Sequence, residues 1–315
     1  MDIKKEQAVI EFYEKGPAYE GLYGYGSAVF PQKGYDKKSN LTIDTLCIVS
    51  NIKDYLLEDL HQNPQNYSAH QRKFILSKSN DIIKGKNDIV FFSSGAISNG
   101  YQIKRGFAQL DDTLKHAMLG DRWYLLWRLQ KPVYSFKTAD ILEEDIIQKT
   151  RTQGVLIGLL TLEEDKSTFY DLYTNIYGLS YKGDCRNGIF ENPDKIKNSV
   201  ENNLEHIQKI YKPIHESFGI ATEQDLQEKR KLLLEYVGEL LPYVKDYLTT
   251  NNTNFNSLVD VRNKLNQFIK HQNRKECILE PIHGLKVNGL AESSIYLGKK
   301  LGKSIGGYKK RFQKK

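Results

Sequence analysis

The order of β-type and helical patterns along the chain constrains its fold more than any other feature. Up to about residue 150, short apolar runs alternate with stretches whose apolar residues recur at helical spacing. Beyond that point the helical spacing continues almost alone, and within the first part it predicts one helix over Thr113–Leu129. Mixed strands and helices favour an α+β fold around a central sheet. The predicted strands are Gly21–Tyr25, Leu41–Ser50, Asp88–Ser93, Tyr101–Gln109 and Pro132–Phe136.

This change of pattern divides the 315 residues into three predicted parts. We expect a sheet domain over residues 1–155, a helical domain over residues 156–284 and a basic tail over residues 285–315. The longest apolar run, around Val155–Leu162, is well short of the ~20 residues that a membrane-spanning helix needs. The first residues mix acids and bases without the apolar core of a signal peptide, so we expect a cytoplasmic protein.

The net charge of +7 is concentrated in the tail. Residues 285–315 hold nine lysines and arginines against one acid, Glu292, so the tail has a charge of +8 and the rest of the chain −1. Charge confined to a tail indicates an arm for an anionic surface, and we expect no nucleic-acid partner. Five apolar tail residues share one helical stripe: Leu297, Leu301, Ile305, Tyr308 and Phe312.

An apolar stripe flanked by lysines is typical of a helix that lies in the headgroup layer of an anionic membrane. We therefore interpret the stripe as membrane-binding. A helix that packs on the protein body, with its lysines in solvent, is the alternative interpretation.

Two motifs at predicted strands suggest a phosphate and metal site. Gly26 and Ser27 follow the first strand, where a glycine lets backbone amides approach a phosphate closely. Asp44 lies in the apolar run LTIDTLCIV, where a carboxylate is costly to bury unless it is paired or binds a metal. Taken singly, the first motif also fits an ordinary turn and the second a strand-end cap. Together they resemble the layout of polymerase-beta-type nucleotidyltransferases, although Leu46 stands where that superfamily usually has a second aspartate.

Two later segments supply further charged candidates. In GLSYKGDCR, Asp184 and Arg186 flank a cysteine, and Lys195 follows; an acid beside an arginine suits a metal or phosphate site. In RLQKPV, Arg128 ends a predicted helix and Lys131 precedes a strand. A loop with solvated charges and a helix cap are the alternatives for these segments.

The motifs and their order resemble the mitochondrial-type phosphatidate cytidylyltransferases, also named the mitochondrial translocator assembly and maintenance family. The matching segments are Tyr25–Phe30, Asp44 in IDTL, Asn63–Ser68, Arg128–Val133, Gly178–Arg186, Lys195–Val200 and Ser293–Ile295. The sequence departs from the family pattern at three places. Ala28 replaces a glycine, Asn66 a histidine, and Leu126-Trp127 a pair of small residues.

The resemblance implies a nucleotidyltransferase that makes CDP-diacylglycerol and pyrophosphate from CTP and phosphatidate with Mg²⁺, in phospholipid biosynthesis. It implies a polymerase-beta-type domain with a mixed sheet, followed by a helical, winged-helix-like domain. Asp44 and Asp184 are the implied catalytic and metal-holding residues. The implied nucleotide-binding residues are Gly26, Ser27, Tyr67, Ser68, Arg128, Lys131, Arg186 and Lys195.

The expected location is peripheral, on the inner face of the cell membrane of a bacterium, or on the matrix side of the inner membrane if the protein is mitochondrial. Two other functions stay open. One is a nucleotidyltransferase with a different acceptor, such as RNA or a protein. The other is a non-catalytic, membrane-associated scaffold, which the missing second carboxylate near Asp44 would explain.

Overall fold

A five-stranded mixed sheet organises the first half of the chain. The computed structural model describes residues 1–30, 42–84, 90–121, 123–140, 142–184 and 194–312. In the sheet, β2 and β4 are parallel and the other neighbours are antiparallel, in the order β3-β4-β2-β1-β5. The α+β class is thus confirmed. The strands are Gly21–Tyr25 (β1), Thr42–Val49 (β2), Val90–Ser98 (β3), Tyr101–Gln109 (β4) and Tyr134–Lys137 (β5).

Helices cover both faces of this sheet and form the second half of the described chain. In the first half they are Ile3–Tyr13 (α1), Ile52–Gln62 (α2), Ala69–Lys84 (α3), Leu110–Leu119 (α4) and Trp123–Leu129 (α5). A π-helical segment, Leu142–Gln148, leads into the next group. That group is Lys149–Thr161 (α6), Phe169–Gly178 (α7), Lys195–Asn202 (α8), Leu204–Ser217 (α9), Glu223–Glu228 (α10), Pro242–Thr250 (α11) and Leu258–Phe312 (α12).

The two faces of the sheet support two hydrophobic cores. Successive strand residues point to opposite faces, so Ile43 and Cys47 of β2 pack into a core with α1, α2 and α3. Leu46 and Ile48 pack into a larger core with α5, α6, α7 and α12. Asp44 alternates with Leu46 and therefore lies on the face that the larger helical core covers, at the beginning of β2.

Helix α6 crosses the predicted domain boundary. All of its residues from Thr150 to Thr161, apart from Thr152, are buried, and it packs against α5, α7, α9 and α12. Because α6 is buried on nearly every side, its sequence has a weak helical period, and the pattern did not reveal the helix. The division at residue 155 stays a prediction. The described residues after Lys137 form helices, turns and loops without a strand. The winged-helix-like character of this part stays a prediction.

The helix predicted over Thr113–Leu129 is divided into α4 and α5. Gly120, with φ of 74°, ends α4 in the left-handed conformation that glycine adopts most readily. A side chain at this position would meet Leu241, whose Cβ would lie 2.6 Å from the added carbon.

Helix α12 joins the two cores. Leu265 and Phe268 lie in the larger core, whereas Val287 lies in the core beneath α3. The helix is broken at Gly289, where φ is 76° and ψ is 172°. Helical backbone continues to Phe312, as the tail pattern predicts. Among the helices that the structure describes, none combines the length and apolar character needed to cross a bilayer.

Candidate active site

The Gly26-Ser27 turn lies directly beside Asp44. In the antiparallel pairing of β1 and β2, Tyr25 is opposite Asp44, so the turn that follows Tyr25 reaches the aspartate. Gly26 has φ of 80°, and a Cβ atom at this residue would lie 3.0 Å from Oδ2 of Asp44. The carbonyl of Gly26 accepts hydrogen bonds from the amides of Val29 and Phe30, at 3.2 and 2.9 Å, which hold the turn. The structure therefore brings together three residues that the sequence identified.

Lys104 is a charged neighbour of Asp44 that the sequence analysis missed. The parallel register of β2 and β4 places it beside Asp44, with Nζ 3.9 Å from Oδ1. The two side chains are about 25% and 31% exposed. The same Nζ lies 5.1 Å from the centroid of the Phe92 ring. A lysine within a predicted strand was the available signal, but only the register of a non-local strand pair shows what it faces.

Arg128 approaches the same place from the end of α5. The buried residues Trp123 and Trp127 fix α5 in the larger core, so the last turn carries Arg128 toward the sheet. Its guanidinium carbon lies 6.0 Å from the ring centroid of Tyr25 and 5.6 Å from that of Phe92. Burial raises the pKa of Tyr25, whose hydroxyl is hydrogen-bonded to Arg128. We call Tyr25, Gly26, Asp44, Lys104 and Arg128 the Asp44 cluster.

A second group of basic and hydroxyl side chains surrounds Tyr181. Nζ of Lys131 donates a hydrogen bond to Oγ of Ser180 and lies 4.3 Å from the ring centroid of Tyr181 and 4.9 Å from that of Tyr177. Nζ of Lys195, at the first position of α8, lies 5.4 Å from the Tyr181 ring. We call Lys131, Tyr177, Ser180, Tyr181 and Lys195 the Tyr181 cluster.

A buried glutamine fixes the segment that joins the two clusters. The side-chain amide of Gln130 donates to the carbonyl of Ile176 at 3.1 Å, and the main-chain carbonyl of Gln130 accepts from the Tyr211 hydroxyl at 2.8 Å. Gln130 is fully buried, so the chain on either side of it has a defined path. Arg128 and Lys131 consequently face different clusters from one rigid segment.

Asp184 lies against α12. Its side chain is 8% exposed, and its Oδ1 is 3.3 Å from Sγ of Cys277. Gly183, with φ of 79°, lets the turn approach α12 closely, because a side chain there would meet the backbone of Lys270 at 2.9 Å. The pairing of Asp184 with Asp44 around a metal stays a prediction. Arg186 lies outside the described residues.

The described contacts of Tyr67 and Ser68 lie outside the Asp44 cluster, and their expected contact with the nucleotide stays a prediction. Tyr67 is only 2% exposed, and its hydroxyl donates to Asp59. Arg105 joins the same network, with Nη1 2.7 Å from Oδ2 of Asp59, on the sheet face opposite to Lys104. Burial raises the pKa of Tyr67, so its hydroxyl remains a donor.

Ser68 instead caps α3. Its Oγ accepts from the amide of Gln71 at 3.3 Å, and its own amide donates to the Gln71 side chain at 2.9 Å. Reciprocal bonds of this kind form a capping box. The family-like motif Asn63–Ser68 therefore has a visible role in folding.

The chemistry of the Asp44 cluster suits a magnesium ion only in part. A partly exposed carboxylate beside a glycine is an appropriate donor for Mg²⁺, which keeps several waters and uses substrate phosphates. Within the described ranges, no group of three or more His, Cys, Asp and Glu side chains is arranged to hold a metal. Asp44 is thus the carboxylate of this cluster that fits the ion.

Comparison with known proteins gives one consistent result. The sequence model of the family described as "Phosphatidate cytidylyltransferase, mitochondrial" matches residues 11–254. The protein of that name from Saccharomyces cerevisiae is 33% identical over 230 residues, which are 69% of this chain and 59% of the relative. Its counterpart from Schizosaccharomyces pombe is 32% identical over 217 residues, which are 68% of this chain and 53% of the relative. The chain therefore spans between half and three fifths of these relatives.

The chain is also similar to the solved structure of a nucleotidyltransferase-like protein from Exiguobacterium sibiricum. The match covers 90% of this chain and 78% of that protein at 12% identity. Its TM-score of 0.26 is too low to support a conclusion.

Proposed function

The chain belongs to the mitochondrial phosphatidate cytidylyltransferase family, and from that premise we propose that it transfers the cytidylyl group of CTP to phosphatidate. The observation that carries the proposal is the Asp44 cluster, in which one carboxylate, one ammonium and one guanidinium meet beside a glycine turn. Such a set of charges suits a polyphosphate and a divalent cation better than a neutral substrate.

The proposed reaction needs no proton transfer by the protein. A phosphate oxygen of phosphatidate attacks the α-phosphorus of CTP and forms a new P–O bond. The bond from the α-phosphorus to the oxygen that bridges it to the β-phosphate breaks, and pyrophosphate leaves with that electron pair. The nucleophile is already an anion, so positioning and charge neutralisation are the main tasks of the protein.

The residues of the Asp44 cluster divide these tasks. The turn at Gly26 and Ser27 would hold phosphates through backbone amides and a hydroxyl, as glycine-containing turns do in other phosphate sites. The Arg128 guanidinium can bind two phosphate oxygens at once, and Lys104 supplies a compact positive charge. Both would offset the negative charge that moves onto pyrophosphate as it leaves.

Asp44 would hold Mg²⁺ together with substrate phosphates and water. A bound magnesium ion neutralises phosphate charge and makes the α-phosphorus easier to attack. Asp184 as a second ligand is part of the proposal. If Asp184 is a ligand, Asp184→Asn should raise the Mg²⁺ concentration that gives half-maximal turnover.

The basic tail supports a location at an anionic membrane surface. Phosphatidate stays in the bilayer through its acyl chains, so the protein must come to the lipid. Each lysine near an anionic leaflet contributes about 1 kcal/mol to binding. We propose peripheral attachment through the stripe from Leu297 to Phe312, on the inner face of the cell membrane or on the matrix side of the mitochondrial inner membrane.

The experiment that tests the function is pyrophosphate release from CTP and Mg²⁺, with and without phosphatidate liposomes. We expect release only when phosphatidate is present, with CTP preferred to ATP and GTP. Liposomes of phosphatidylcholine are the matched control for the lipid. Release that depends on RNA or on a protein would replace phosphatidate as the acceptor, and failure with every nucleotide would favour the scaffold.

A further inference from the structure

We propose that the Tyr181 cluster is the subsite for the acceptor phosphate, separate from the Asp44 cluster that takes the nucleotide. This inference rests on the proposed function and adds to it an assignment of the two basic groups. The chemical class that the subsite would bind is a phosphomonoester, of which phosphatidate is one example.

The charges of the Tyr181 cluster match a dianion. Lys131 and Lys195 direct their ammonium groups at the same ring, at 4.3 and 5.4 Å from its centroid. A phosphomonoester has a charge of about −1.5 to −2 at neutral pH, so two ammonium groups can neutralise it. The Ser180 hydroxyl, already bonded to Lys131, adds a donor beside them.

The position of the cluster fits the acceptor in an in-line displacement. Attacking and leaving oxygens lie on opposite sides of the α-phosphorus, so donor and acceptor phosphates need adjacent but distinct sites. Arg128 and Lys131 belong to the two clusters and are three positions apart, so their Cα atoms are at most about 10 Å apart along the chain. The buried side chain of Gln130 fixes that spacing.

The Tyr181 cluster is also fastened to the helix that continues into the basic tail. The side-chain amide of Asn273 on α12 donates to the carbonyls of Leu179 and Lys182, at 2.8 and 2.7 Å. Nζ of Lys182 donates to Oδ1 of Asn266 on the same helix at 3.0 Å. The proposed acceptor subsite is thus attached to the helix whose continuation we propose to contact the lipid surface.

The test measures the binding of each substrate separately. Dihexanoyl phosphatidate, which is short enough to dissolve, is titrated into the full chain without nucleotide, and CTP with Mg²⁺ is titrated in a second series. Lys131→Ala and Lys195→Ala should each weaken binding of the short-chain lipid by about tenfold or more, the usual effect of losing a charged hydrogen bond. The Kd for CTP should stay within about twofold.

Lys197→Ala is the matched control, because it removes the same charge from α8. Lys197 is exposed and forms a surface pair with Glu201 at 3.8 Å. Lys131→Arg keeps the charge and should retain binding of the short-chain lipid. Retained binding in this variant would show that the loss in Lys131→Ala comes from the missing charge. A titration with sn-glycerol 3-phosphate, which has the phosphomonoester without acyl chains, should show the same dependence on both lysines.

Weaker CTP binding with unchanged lipid binding in these variants would overturn the inference, as would an equal loss in Lys197→Ala. Failure of the proposed function has a different signature. In that case the unmodified protein binds both ligands and releases no pyrophosphate.

Discussion

Gly26 and Asp44 lie in contact across the β1–β2 pair, and the contact depends on the absence of a side chain at Gly26. A Cβ atom there would lie 3.0 Å from Oδ2 of Asp44, closer than such atoms normally approach. The positive φ of 80° adds a second requirement for glycine. The position of the carboxylate at the centre of the proposed site therefore depends on the turn beside it.

Gly26→Ala should lower turnover by at least about tenfold, because the methyl group displaces the Asp44 carboxylate or the turn. The left-handed conformation costs an alanine about 1–2 kcal/mol, so the free energy of unfolding should fall by a similar amount. Steady-state kinetics and urea unfolding check both effects. Gly100→Ala is the control, since Gly100 has the same sign of φ and open space around it. Equal activity losses in the two variants would remove the special role of Gly26.

Lys104→Met should weaken CTP binding about tenfold or more, because it removes a positive charge beside Asp44 and keeps a side chain of similar length. Lys104→Arg should recover part of the affinity. Calorimetry with CTP and Mg²⁺ measures the change, and Lys115→Met, at an exposed residue of α4, is the control. Unchanged CTP affinity in Lys104→Met would show that the lysine serves only to pair with Asp44.

Tyr67→Phe should destabilise the protein and leave CTP binding unchanged. The variant removes a buried donor from the Asp59 carboxylate, a loss of about 1.5–3 kcal/mol in the free energy of unfolding. Tyr243→Phe, at a half-exposed tyrosine, should change stability by far less. If Tyr67→Phe weakens CTP binding at unchanged stability, the result would support the contact between Tyr67 and the nucleotide that the family resemblance implies.

Lys182 gives a stability effect that depends on pH. Burial, the largest cause, lowers its pKa from 10.5 to about 8, so between these values the unfolded chain binds more protons than the folded protein. The free energy of unfolding should therefore rise with pH through this window, by up to about 1.4 kcal/mol per pH unit, and the penalty is complete below pH 8.

Lys182→Met removes this penalty, so the variant should gain stability relative to the unmodified protein at pH 7 and lose that advantage near pH 10. Urea unfolding at the two pH values measures the difference. Lys197→Met provides the control for loss of one charge. A stability difference that does not change between pH 7 and pH 10 would contradict the shifted pKa.

Removal of residues 297–315 should weaken binding to liposomes that contain anionic lipid and largely retain turnover on short-chain phosphatidate. The cut keeps the described contacts that hold α12 on α3. Nε2 of His70 lies 2.9 Å from the carbonyl of Lys286, and the side-chain amide of Gln71 donates to Oδ1 of Asn288 at 2.7 Å. Sedimentation with liposomes and the kinetic assay give the two readouts. Equal losses in both would indicate a structural tail.

Local patterns predicted much of the fold. β1 and β4 have the bounds predicted from the sequence. The prediction of a single helix over Thr113–Leu129 was wrong at Gly120. The apolar period continues through this glycine, and the contact with Leu241 that accompanies its left-handed conformation is known only from the fold. Helix α6 was missed because burial on all sides removes the periodicity that identifies a helix.

The candidate site was predictable where motifs supply its residues, and not where only the register of a strand pair brings a residue in. Gly26 and Asp44 come from adjacent strands, and the motif order predicted their meeting. Lys104 enters through the parallel β2–β4 register, which no local pattern contains. The sequence did not show that the Tyr67 hydroxyl lies in a buried network with Asp59 and Arg105, because those partners come from other elements of the fold.

The most direct test of the account follows the α-phosphate of CTP. The full chain is incubated with Mg²⁺, phosphatidate vesicles and CTP labelled with ³²P at the α-phosphate, and the lipid is extracted into chloroform. The account predicts that label enters the lipid with the unmodified protein and not with Asp44→Asn, which remains folded. Label that stays in the aqueous phase with the unmodified protein, or enters the lipid equally with Asp44→Asn, would contradict it.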